Sequence, residues 1–134
     1  MRMAIFWAVA VAALAFNGFA LFDFFMTQAN PAEHLAGYPP AFVEMVTNMP
    51  SWRRILLVTT IFVGIIGALL LALRRSLAER ALWGASAFLL IGLIADMAVL
   101  NGIEAYGLFG AMPFVVECGF ALYASWAARQ DLLR

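Results

Sequence analysis

Three carboxyls and a pair of guanidiniums interrupt stretches of sequence that are otherwise apolar: Asp23, Asp96, Glu117 and Arg53-Arg54. In lipid, a charge near the centre of a span costs at least ~2.5 kcal/mol, so each of these groups needs a partner or a task. Placed by depth along their segments, Asp23 and Asp96 fall about one helical turn below what reads as the outer surface, level with Arg53 and Arg54. Glu117 falls near mid-membrane, level with Asn17. Two chemistries follow. The outer group reads as an ion-pair network in which Arg53 pairs with Asp23, Asp96 or both and pins helix ends. Glu117 has no basic residue at its depth, which leaves two readings open. It forms a neutral structural hydrogen bond with Asn17, or it binds a proton or cation. Glu117, Asn17, Asp96 and Asp23 are therefore the candidates for an ion, proton or solute site.

Several other chemistries are disfavoured by what the chain carries. There is one histidine, His34, and one cysteine, Cys118, which argues against a multi-His zinc site, bis-histidine haem and an internal disulfide. No nucleophile and base share a depth, so catalysis is not expected, and no metal or cofactor is implied. The eight basic residues are all arginine and are matched by eight acidic ones, with no basic stripe, so no nucleic-acid partner is expected.

The elements that must hold these groups follow from hydropathy. Two thirds of the residues (66%) are hydrophobic, well above the ~45–50% of soluble domains. The expected partner is a lipid bilayer. Four segments, residues 4–26, 52–73, 81–100 and 108–128, are each close to the ~20 residues that cross ~30 Å of hydrocarbon as a helix. The opening Met-Arg-Met and apolar run have the flavour of a signal peptide. The run continues through Phe22, Phe24, Phe25 and Met26, too long for such a segment, and reads as the first span. The fold expected for residues 1–134 is a single all-α membrane domain, an antiparallel bundle of four transmembrane helices. Residues 74–80 and 101–107 read as short turns. Residues 27–51 form a long outer loop with Pro31, Pro39-Pro40 and Pro50. Within it Phe42, Met45, Val46 and Met49 recur at helical spacing, which predicts a short interfacial helix started by Pro40 and stopped before Pro50. That helix is either a plain lid on the bundle or a gate.

Each span also carries small residues in phase with its polar group. These are Ala10, Ala13, Asn17 and Ala20 in the first, and Arg53, Thr60, Gly64 and Gly67 in the second. The third has Ala81, Ala85, Gly92 and Asp96; the fourth has Gly110, Pro113, Glu117, Ala121, Ala124 and Ala128. Such stripes let helix backbones approach, so the polar groups should face neighbouring helices and Arg54, rotated off the stripe, should face outward. Arg2, Arg74, Arg75, Arg80, Arg129 and Arg134 would share one side of the membrane, against Arg53 and Arg54 on the other. That bias predicts a multi-pass protein with both termini in the cytoplasm. Trp7, Trp83 and Trp126 at one level, and Trp52, Tyr38 and Tyr106 at the other, read as interfacial belts.

The run Phe16-Asn17-Gly18 through Asp23-Phe24-Phe25-Met26-Thr27, the Pro50-Ser51-Trp52 that ends the loop, Glu104-Ala105-Tyr106-Gly107 and Met112-Pro113 resemble motifs of a small four-span family of the bacterial inner membrane. Three features depart from that family's pattern: Phe16 stands where it has Trp, arginine replaces lysine at the inner turn, and Glu117 is not shared. The resemblance implies a bacterial cytoplasmic-membrane location and, from a label some members carry, sugar transport. Small-solute or proton-coupled transport is the first functional expectation, and with only four spans it would require a homodimer or larger membrane complex. The alternative is a non-catalytic accessory subunit, assembly factor or scaffold of such a complex.

Overall fold

The computed structural model describes residues 1–134. It is an all-α bundle without strands, built on four helical stretches long and apolar enough to cross a membrane. Helix α1 spans Arg2–Ala29, α4 Ser51–Ala72 and α5 Leu77–Val99. The fourth stretch, Gly102–Arg129, is composite: α6 (Gly102–Tyr106), a 3-10 turn over Gly107–Ala111, then α7 (Met112–Arg129). Between α1 and α4 lie two short helices, α2 (Pro31–His34) and α3 (Pro40–Thr47). Proline opens α2, α3 and the first turn of α7, where its missing N–H costs nothing.

The spans agree with the hydropathy reading; α4 matches the expected 52–73 to within one residue at each end, while α1 runs further and α5 begins earlier. The first extends to Ala29, because polar Thr27 and Gln28 end the apolar run without ending the helix. The expected turn at 101–107 is instead largely helical. Asn101 takes a left-handed conformation (φ 54°), redirecting the chain so that α6 folds back on the end of α5. Gly102 is required there, since a Cβ would lie 3.0 Å from the carbonyl carbon and oxygen of Asp96. At the other end of the bundle, residues 77–80 belong to α5 and the turn shrinks to its preceding residues. Arg74 turns left-handed (φ 58°), and its Nε donates to the Leu132 carbonyl at 2.8 Å. The amides of Arg134 and Ser76 pair with the Arg74 and Arg134 carbonyls, at 2.6 and 2.9 Å. The C-terminal tail is thereby tied to the α4–α5 turn.

Packing runs α1 on α4, α4 on α5 and α5 on α7, while α1 and α7 meet along a shorter seam. The fully buried core gathers at the end that holds both termini. There Phe6, Ala10 and Ala13 meet Ala68, Leu71, Leu82, Ala121 and Ala124. Gly67 belongs to this half: a Cβ on it would come within 2.8 Å of Leu82 Cδ2 and 3.1 Å of the Leu82 backbone nitrogen. Small residues thus do what their stripes predict, bringing α4 and α5 into backbone contact. Large apolar side chains such as Val11, Phe22, Ile66, Ile94 and Leu122 point outward, as helices solvated by lipid require.

Candidate functional site

Polar groups and open space concentrate at the loop end of the bundle. On α4, Arg53 is buried and its guanidinium grips Asp96 of α5 with both oxygens: Nε to Oδ1 at 2.7 Å and Nη2 to Oδ2 at 2.8 Å. The hydroxyl of Tyr106, carried in by α6, donates to the same Oδ2 at 2.7 Å. Gly92, one turn before Asp96, makes room for the fork: a Cβ would lie 3.0 Å from Nη2 and 3.1 Å from Cζ. The bidentate geometry satisfies both ions in a place where either alone would be costly. Arg54 is exposed.

Asp23 is not part of this pair. It takes His34 of α2, Nε2 to Oδ1 at 2.7 Å, and so ties the loop to the end of α1. The sequence reading allowed Arg53 either aspartate. The structure gives it Asp96, because α4 and α5 share the tightest interface and both oxygens of Asp96 face Arg53. Tyr106, read as an interfacial aromatic, is likewise redirected inward. Neither partner was visible from spacing, since each depends on how a short loop helix folds back over the bundle.

Deeper, Asn17 of α1 bridges helices. Its Nδ2 donates to the Ala13 carbonyl at 3.0 Å and to Glu117 Oε2 of α7 at 3.3 Å. Gly64 of α4 gives it space, for a Cβ there would collide with the Asn17 amide. Glu117 is 1% exposed, and its Oε1 is buried with no hydrogen-bond partner. A carboxyl oxygen so placed is an unspent acceptor in a medium where that matters most.

Above Glu117 and Asn17 the helices part around a cavity of about 490 Å³. One face of α1 lines it with Phe16, Ala20, Asp23 and Phe24; Thr60 and Leu57 of α4 and Phe114 of α7 continue the wall. Its roof is the predicted apolar face of the loop helix: Phe42, Met45 and Val46 of α3, with Met49 just after it. Phe42 is fixed there between Tyr38, stacked at 4.8 Å, and Tyr106, edge-on at 6.3 Å. All four candidate residues, Glu117, Asn17, Asp96 and Asp23, border this one space, with Arg53. A second polar cluster, at the termini end, was not anticipated. Trp83 Nε1 donates to Ser125 Oγ at 3.0 Å, and Ser125 donates to Glu79 at 2.7 Å, clipping α5 to α7.

Comparison with protein-family models, curated proteins and solved structures finds no match for this chain.

Proposed function

We propose that this multi-pass membrane protein is a small-solute transporter, proton-coupled through Glu117, with the loop-end cavity as its binding site. The observation that carries the reading is the unpartnered, fully buried carboxyl oxygen of Glu117 beneath a cavity that binding pockets of ~300–1,000 Å³ would recognise as their own size. Asp96 is paired with Arg53, Asp23 is hydrogen-bonded to His34, and Arg54 is exposed. Glu117 has only the amide of Asn17, at a long 3.3 Å. An intramembrane acid not engaged in a structural pair has the hallmark of a working group. The loop helix α3 supplies the lid, held by the Asp23–His34 contact and the aromatic stack around Phe42.

In this reading the protein resides in a bacterial cytoplasmic membrane with both termini in the cytoplasm, as the arginine asymmetry favours, and works as a homodimer or within a larger complex. Uptake into proteoliposomes tests it. Under an imposed proton gradient, a panel of small solutes that includes sugars should contain at least one that moves faster with the protein than without it. Glu117→Gln should abolish the difference. If no solute moves, and the protein instead retains a stoichiometric partner through a mild-detergent pull-down, the accessory-subunit reading takes its place.

A further inference from the structure

Resting on the solute-site reading, the nature of the cavity narrows what it would take. Its lining is mostly apolar, rich in phenylalanine and methionine; Gln28, Tyr38 and Arg54 border it from exposed positions, and the buried polar groups, Glu117 apart, are engaged with one another or with the backbone. A sugar would surrender many hydrogen bonds to water on entering and recover few. The charged groups facing the space sort themselves. Arg53 and Asp96 neutralise each other through two short bonds, and Tyr106 adds a third on the same carboxylate. Asp23 is engaged by His34, and Arg54 is exposed near the loop surface. Among these groups Glu117 alone has a buried oxygen without a partner, and that oxygen is an acceptor.

The cavity also has a route to the bilayer. Phe19 and Phe109 both line it, yet are 66% and 82% exposed, so it opens sideways between α1 and the segment that leads into α7. Toward the termini this seam is closed by the pairs Phe16–Phe120 and Phe6–Tyr123 at 5.8 and 6.4 Å. A lipophile dissolved in the membrane would meet two aromatic rings at the entrance and an acid at the far end.

We infer that the ligand class is the lipophilic amine: a molecule with an apolar, preferably aromatic, body and one protonated nitrogen. The body lies among Phe16, Phe24, Phe42 and Phe114, and the ammonium N–H donates to Glu117. Because Oε1 is sealed from solvent, the carboxyl turns toward the cavity to meet it, a rotation about its own side-chain torsions. The phenylalanine faces add favourable contact with the cation. Proton and ammonium compete for one carboxyl, which gives an exchanger its coupling without a second acidic site.

The test uses the purified full chain in lipid nanodiscs, with dibenzylamine, its neutral isostere dibenzyl ether, and titration calorimetry. Dibenzylamine should bind wild type about tenfold or more tightly than the ether, the contribution of a hydrogen bond to a charged group. In Glu117→Gln that preference should vanish while ether binding is kept, which also shows the variant to be folded. Equal affinity of wild type for amine and ether would overturn the amine assignment and leave the cavity a solute site. An amine preference undiminished in Glu117→Gln would overturn the role of Glu117. Binding of neither molecule would overturn the amine assignment, while the solute-site reading is decided separately by the uptake panel.

Discussion

The two ends of this bundle are held together by different physics. At the termini end, alanines and glycines close the helices onto one another around Phe6, Leu71 and Leu82, and the C-terminal tail is stitched to the α4–α5 turn. At the loop end the same helices diverge, and cohesion comes from a few directional contacts: Arg53 with Asp96 and Tyr106, and Asp23 with His34. Close packing tolerates no vacancy and leaves nothing to bind. Polar clamps fix geometry at a few points and let a cavity remain between them. The contrast places the close packing in one half and the cavity in the other, with Asn17 and Glu117 at the boundary.

The largest effect should come from breaking the clamp. Arg53→Met strands the Asp96 carboxylate and should cost on the order of 3–5 kcal/mol, read as a fall in thermal midpoint in detergent. The double variant Arg53→Met/Asp96→Asn should recover much of that loss, since no buried charge is then left alone. Arg54→Met, at an exposed position, should lie within about 0.5 kcal/mol of wild type. If both arginine variants behave alike, the loop half does not depend on its clamp.

Next comes Gly67→Leu in the packed half. Leu82 stands close enough to force the helices apart, which should cost about 1–3 kcal/mol. Gly18→Leu, where even a Cβ meets nothing within 4 Å, is the matched control on the bundle surface and should be tolerated. A smaller and more local effect is expected from Gly64→Ala. The added methyl displaces the Asn17 amide, so Glu117 loses its one hydrogen bond while the packed core is untouched. Solute binding should change more than the thermal midpoint. The smallest effect belongs to His34→Ala, which releases a partly exposed pair and should cost within about 1 kcal/mol. Its consequence should be faster proteolysis in the loop around α2 and α3.

Most of the architecture was legible because membranes impose simple rules. Four apolar runs, the prolines at 40 and 50 and the period of Phe42, Met45, Val46 and Met49 mark five of the seven helices and the face of the lid. The in-phase stripes placed Asn17, Arg53, Gly64, Gly67, Gly92, Asp96 and Glu117 inside, and all are buried. What the stripes could not convey is divergence. The same small-residue logic that describes the contact at Gly67 says nothing of helices parting above Asn17, because a cavity depends on the tilt between helices and not on the period within one. The partners of the aspartates were hidden for a related reason. Tyr106 reaches Asp96 only because Asn101 turns left-handed, and His34 reaches Asp23 only because Pro31 starts a helix that folds the loop back. Both are decided by a handful of loop dihedrals that hydropathy does not register.

The division of labour is tested most directly by the chemical accessibility of the first helix on either side of Asn17. In a Cys118→Ser background, Ala20→Cys borders the cavity and Ala13→Cys lies in the fully buried core, two turns apart on one face of α1. A third variant, Ala15→Cys, sits on the exposed face and reports on the lipid. With a small cationic methanethiosulfonate as reagent, the account predicts rapid modification of Ala20→Cys, slow modification of the other two, and protection of Ala20→Cys by dibenzylamine. Modification of Ala20→Cys no faster than that of Ala13→Cys would contradict it, because the two halves of the bundle would then be equally closed.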